Sequence, residues 1–291
     1  MIKLENEKLI AEISPHGAEL TRLYSKETQR EALWNADAKF WARHAPVLFP
    51  NVGKFYKAGF NHKGNFYPEG QHGFARDCDF VCTAQENDRA SFVLKANDET
   101  LKRYPFPFSL EIAYTLLGEK LTVTWKVENC GDEAMYFTIG GHPAFNVPAI
   151  PGTKFTDYSL YFEGKESLIY KLLDLSSGCI IAESGETLAL DNGSYSLREN
   201  MFDNDALVFD DYQIDKVSIL YPDGKPYFTM ECEGFPNFGI WSKPGAPFVC
   251  LEPWQGRADN VNFDGEISAK PGITALQPGE IFEKSHSIIV G

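Results

Sequence analysis

Along residues 120–129, KLTVTWKVEN, apolar and polar positions alternate without a break. Leu121, Val123, Trp125 and Val127 fall on one side, and Thr122, Thr124, Lys126 and Glu128 on the other. Alternation of period two predicts a strand with one buried face. SLEIAYTLL (109–117) repeats the pattern with Leu110, Ile112, Tyr114 and Leu116, and Gly118-Glu119 between the two runs predicts a hairpin connection. KVSILYPDGKPYFTMECEG (216–234) predicts two strands around Asp223-Gly224. LALDNGSYSLRE (188–199) does the same around Asn192-Gly193, where glycine supplies the positive φ of a tight turn. Asn192-Gly193-Ser194 also spells a glycosylation sequon, read here as a turn because no secretory signal accompanies it.

Helical signals are few. NADAKFWARHAP (35–46) and DETLKRYP (98–105, with Asp98 as N-cap) each stop at a proline. No repeat, low-complexity tract or charged linker divides the chain, and strands do not alternate with helices. The pattern predicts an all-β protein: a large antiparallel β-sandwich with a few short helices, formed as one domain over residues 1–291.

Composition narrows the partners. Hydrophobic residues make up 43% and charged residues 23%, which suits a globular chain able to bury a full core. Acidic residues outnumber basic ones 41 to 27, and a net charge of −14 disfavours nucleic acid and anionic membranes. Neutral small-molecule partners fit better. The start, MIKLENEKLIAEI, lacks the pattern of a signal peptide, and no apolar run is long enough for a membrane helix. The six cysteines are scattered, as free thiols in a reducing cytoplasm would be. Cys78 and Cys82 form C-x3-C with no second ligand pair, so no metal site is expected there.

Four stretches carry candidate chemistry. In EGQHGFARDCDF (69–80), extended backbone would put His72, Phe74 and Arg76 on one face, with the two polar residues about 13 Å apart. Gly70 and Gly73 allow a bend that would bring them round a small ligand. A surface strand with a solvated arginine would show the same letters. In YFTIGGHPAFNVP (136–148), His142 follows two glycines and precedes a proline. A histidine there suits proton transfer near neutrality, with Phe137 and Phe145 as apolar walls and Asn146 as a polar contact. A tight turn with an incidental histidine fits equally. In APFVCLEPWQGRADN (246–260), Glu252 ends an apolar run, where a carboxylate is costly unless it faces a site. Partial burial would raise its pKa into the range of a useful base, and Trp254 offers an apolar face for a sugar or for the core. In MFDNDALVFDD (201–211), Asp205 sits at the lip of an apolar run, among acids at 203, 210 and 211 that composition does not rank.

Taken in order, PHGAEL, ALW, LFPNVGK, HGFAR, GGHPAFN, FDNDAL, FGIWSKPGAPFVCLEPW and ALQPGE resemble the aldose 1-epimerase (galactose mutarotase) family, most closely its LacX-like branch. The resemblance spans nearly the whole chain and implies an antiparallel supersandwich with a sugar cleft on one face. It implies Glu252 as catalytic base and His142 as acid, with His72 and Asp205 holding the sugar. HGFAR is also the form found in related hexose-phosphate epimerases, where its arginine, here Arg76, helps hold phosphate. Where family members often carry arginine after FP-x-x-G, this chain has Lys54, a point charge without a bidentate fork. The expected activity is cofactor-independent mutarotation of a free aldohexose by a monomer or homodimer. The alternatives are a hexose-6-phosphate 1-epimerase and a non-catalytic carbohydrate-binding protein on the same fold. A glycosidase is disfavoured because only one convincing cleft carboxylate is visible and that chemistry normally uses two.

Overall fold

A computed structural model describes residues 1–291. Two antiparallel sheets face each other. The nine-stranded sheet has at its centre Pro226–Glu231, Ile281–Val290, Lys120–Asn129, Phe108–Leu117 and Arg89–Lys95, in that order. The eight-stranded sheet runs through Ser167–Lys171, Leu207–Phe209, Asn237–Trp241, Phe248–Gln255, Ile139–Gly141 and Val47–Leu48, while Ala144–Asn146 also pairs with Phe248–Gln255. A four-stranded sheet of residues 2–31 joins them. This is the all-β sandwich that the alternation predicts.

The core lies between the two large sheets. A contiguous cluster of 60 buried residues includes Leu110, Ile112, Trp125, Phe228 and Ile288 from one sheet and Phe209, Ile240, Val249 and Leu251 from the other. Phe137 and Phe145, expected as walls of a site, belong to this core instead, and Phe145 stacks on Phe228 with ring centres 3.9 Å apart. Both are apolar residues on strands whose inward face meets the opposite sheet, so packing claims them first.

The hairpin at Gly118-Glu119 forms in the expected register, with Leu117 opposite Lys120 and Phe108 opposite Asn129. The 188–199 segment differs. Glu186–Ala189 pairs with Ser167–Lys171, whereas Ser194–Ser196 pairs with Ser159–Tyr161 in the other sheet. The Asn192-Gly193 turn, with φ of 49° and 82°, closes a tight hairpin in which Asp191 and Ser194 exchange two backbone hydrogen bonds of 2.9 Å, and the strands beyond it then part into different sheets. Residues 98–103 form the expected helix, capped by the side chain of Asn97 rather than Asp98. Residues 35–46 form no helix. The Asn35 side chain accepts from the Asp37 amide, and that of Asp37 accepts from the Lys39 amide, a local competition that turns the chain instead. The turn leaves Trp41 and Arg43 over one end of the eight-stranded sheet, where the site lies.

Candidate active site

The strand Phe248–Gln255 builds the floor of a cavity of about 670 Å³. Its residues are buried on both faces. Val249 and Leu251 enter the main core, whereas Phe248, Cys250 and Trp254 join smaller clusters on the opposite face. Glu252 shares that second face, by the period of two, and only 1% of it is exposed.

The neighbouring strands make room for this face. A methyl group on Gly140 would lie 2.4 Å from the Trp254 ring, and one on Gly239 would lie 2.4 Å from its far edge. The indole therefore lies across two glycines that pair with its own strand. Gly141 serves the opposite side, where a Cβ would come 3.4 Å from both Trp125 and His286 in the core. The Gly-Gly pair thus admits an aromatic ring on each face of one short strand, and it delivers His142 directly beside Glu252.

His142 Nε2 lies 3.4 Å from Glu252 Oε2. Trp41 stacks on the imidazole at 4.7 Å between ring centres, while Trp241 and His72 meet it edge-on at 5.6 and 5.5 Å. Enclosure shifts both ionisable groups toward neutrality. Burial, reinforced by the Arg76 and Arg43 charges, lowers the His142 pKa to about 3. Burial and the neighbouring Asp205 carboxylate push Glu252 well above the ordinary carboxylate range. Burial thus favours the uncharged form of each partner.

His72 is not on an extended strand. It and Gly73 both have φ of 68°, and a one-turn 3-10 helix follows at Ala75–Asp77. A Cβ on Gly73 would fall 2.2 Å from the Phe49 carbonyl oxygen, so this turn needs glycine. The turn folds His72 and Arg76 against the same cavity. The Gly53 amide donates to His72 Nδ1 at 3.1 Å, which places the ring proton on Nε2, and the Gln71 side-chain amide lies 3.1 Å from that nitrogen. Burial first, and the His142 ring next, hold this imidazole well below its usual pKa, so it is a neutral donor. Arg76 is anchored by donating to the Gln71 carbonyl at 2.8 Å.

Lys54, Asp205 and Trp254 also line the cavity. Lys54 lies against Gly178, where a Cβ would come 2.9 Å from its side chain. Asp205 has φ of 70° and sits at the exposed rim. Of the other nearby acids, Asp203 joins the rim, whereas Asp210 is committed to Arg257 and Asn237. Asn146 does not reach the cavity. Its amide donates to the Glu31 and Leu33 carbonyls, because the strand after Pro143 turns it to the four-stranded sheet. Sequence reasoning missed Trp41, Arg43 and Trp241. The first two lie in the segment read as a helix, and Trp241 occurs in FGIWSKPG, where no periodicity marks it out.

Glu252 Oε2, His142 Nδ1, Arg76 Nε and Trp254 Nε1 are buried and have no hydrogen-bond partner. Unsatisfied buried polar atoms cost about 1–3 kcal/mol each, so a cluster of them round one cavity suits a polar ligand.

A sequence profile of the family described as aldose 1-epimerase matches residues 1–288. The plasmid-encoded protein LacX of Lactococcus lactis subsp. lactis is 31% identical over 303 aligned residues, covering 99% of each chain. Among solved structures, the galactose mutarotase related enzyme of Lactobacillus acidophilus superposes with a TM-score of 0.94 at 33% identity, covering 99% of this chain and 96% of that one. A galactose mutarotase-like protein of Lactobacillus casei gives 0.91 at 31% identity, with both chains wholly covered.

Proposed function

This chain belongs to the aldose 1-epimerase family, and on that premise we propose that it interconverts the α and β anomers of a free hexose. The observation that carries the reading is the His142–Glu252 pair, 3.4 Å apart and buried in the wall of a cavity of about 670 Å³. That volume falls within the roughly 300–1,000 Å³ of small-molecule sites.

Mutarotation moves two protons on oxygens that share one carbon. O1 must lose its proton as the C1–O5 bond breaks, and O5 must gain one. With Glu252 as carboxylate and His142 as imidazolium, the carboxylate takes the O1 proton and the imidazolium protonates O5. The ring opens to an aldehyde, and the pair is left as neutral carboxylic acid and neutral imidazole. After rotation about C1–C2, O5 attacks the other face of C1 and returns its proton to His142, while Glu252 returns one to O1. Each turnover resets the pair. The ion-pair and neutral forms have the same proton count, so the neutral form favoured by burial matches the open-chain stage of the cycle. Each placed proton-transfer group contributes about 10²–10⁴-fold.

The other residues orient the sugar. His72 Nε2–H and Asp205 bind hydroxyls, Trp254 faces the C–H surface, and Lys54 and Arg76 close the far wall. A second reading, a hexose-6-phosphate 1-epimerase, is favoured by the basic wall of Arg43, Lys54 and Arg76. Asp77 pairs with Arg43 at 2.7 Å and lies 3.9 Å from Arg76 Nε, too far for a hydrogen bond. Anomer exchange measured by polarimetry across free and 6-phosphorylated aldoses tests both. Faster exchange of free hexoses is expected, and a strong preference for the phosphate esters would move the assignment to the second reading. Saturable binding with no exchange would point to a non-catalytic sugar-binding protein.

A further inference from the structure

Cys250 is not used by the proton-transfer cycle, yet it lies beside it. It precedes Glu252 by two residues on one strand, so the two side chains leave the same face. Its sulfur, a ring nitrogen of His142 and a carboxylate oxygen of Glu252 all lie within 4.8 Å of one another, and all three residues are buried. The other five cysteine sulfurs each lie against a backbone carbonyl, whereas that of Cys250 has no such partner. Glu252 Oε2 likewise has no hydrogen-bond partner, and it faces His142 Nε2 at 3.4 Å.

From this cluster we propose that Cys250, His142 and Glu252 form a three-ligand site for a zinc-class divalent cation, whose binding shuts down the catalytic pair. Sulfur, imidazole nitrogen and carboxylate oxygen are the donor set of tetrahedral zinc. Tetrahedral ligation at roughly 2.0–2.2 Å sets nitrogen and oxygen about 3.4 Å apart, the separation His142 and Glu252 already have. Charge also balances. The cation displaces the thiol proton and the mobile proton of the pair, and one thiolate with one carboxylate neutralises a dication, as a buried centre requires. The fourth position takes a water from the cavity that His142 and Glu252 line.

The cation occupies the same nitrogen and oxygen that exchange protons with O1 and O5, so metal and sugar compete. This inhibitory consequence rests on the proposed mutarotation, whereas the binding itself does not.

Cobalt(II) titration of the intact protein, followed by a zinc chase, tests the site directly. The wild type is expected to develop a thiolate-to-cobalt charge-transfer absorption that zinc abolishes. Cys250→Ala and Cys250→Ser are expected to lack that band and to bind zinc at least about 100-fold more weakly, since even an outer-shell partner is worth roughly 10–100-fold. Both variants should keep mutarotation and resist zinc. Cobalt binding without a thiolate band, equal zinc affinity in wild type and Cys250→Ala, or no binding of either cation by the wild type at millimolar concentration would each overturn the site. A thiolate band in a protein without mutarotation would sustain the metal site and sink the proposed reaction instead.

Discussion

The hairpin Phe108–Asn129 and the strand Phe248–Gln255 sit in opposite sheets and are built to different rules. Along Lys120–Asn129, buried and partly exposed residues alternate through all ten positions, because one face meets the core and the other meets water. Along Phe248–Gln255, seven successive residues are buried, because one face meets the core and the other forms the cavity floor. Each region packs against a buried histidine from a neighbouring segment whose pKa is lowered to about 3. His286, opposite Val123 and 5.0 Å from Trp125, owes its shift to burial alone and touches no acid. His142 faces Glu252 and adjoins a cavity. A depressed pKa therefore does not mark a catalytic group. The partner and the access do.

The sharpest way to break this comparison is to remove each imidazole. His142→Ala is expected to slow mutarotation by about 10²–10⁴-fold, the worth of one placed proton-transfer group. His286→Leu should leave the rate within twofold of wild type, since it touches no cavity residue used in the cycle. Comparable losses in both variants, measured by polarimetry at saturating sugar, would erase the distinction.

A second test is steric. Gly239→Ala puts a methyl group 2.4 Å from the Trp254 ring, an overpacking expected to cost about 1–3 kcal/mol. KM should rise more than kcat falls, because Trp254 orients sugar without exchanging protons. Unchanged stability and KM would mean that the indole does not depend on that glycine.

Proton linkage gives a third. Glu252 has a raised folded pKa, so its contribution to stability is fully present below the ordinary value of 4.5 and is lost as pH rises toward the folded value. Glu252→Gln cannot ionise, and at pH 8 it should be more stable than wild type by about 1–3 kcal/mol, the order of cost of an unsatisfied buried polar group. A denaturation midpoint below that of wild type at pH 8 would count against burial as the source of the shift.

The smallest effect is expected for His286 at mild acidity. Its folded pKa is depressed, so its stabilising contribution is present above the ordinary 6.5 and is lost as pH falls toward about 3. Near pH 5.5, His286→Leu should recover about 1.4 kcal/mol of the wild-type acid loss, the equivalent of one pH unit. Parallel pH–stability curves for the two proteins would contradict this.

The same contrast explains what the sequence revealed. The alternating hairpin was legible because solvent on one face writes polarity into every second letter. The cavity floor was legible only at Glu252, the single acid in an apolar run, and at Trp254 beside it. His72 and Arg76 do line the cavity, but from a backbone the sequence did not show, because the left-handed turn at His72-Gly73 packs against the Phe49 carbonyl, far away in the chain. Asn146 was misplaced because its partners, the Glu31 and Leu33 carbonyls, lie more than a hundred residues away in the chain. Trp41 and Arg43 were missed because side-chain hydrogen bonds of Asn35 and Asp37 overrule the helical pattern around them. Local spacing encodes strands well, but it does not encode which distant surfaces fold over them.

The most direct measurement is anomer exchange by saturation-transfer NMR with wild type and Glu252→Gln at equal concentration, on the hexose the wild type exchanges fastest. The buried pair predicts that Glu252→Gln, still folded, loses at least about 10²-fold of the enzymatic exchange rate. Exchange by Glu252→Gln at the wild-type rate would contradict it.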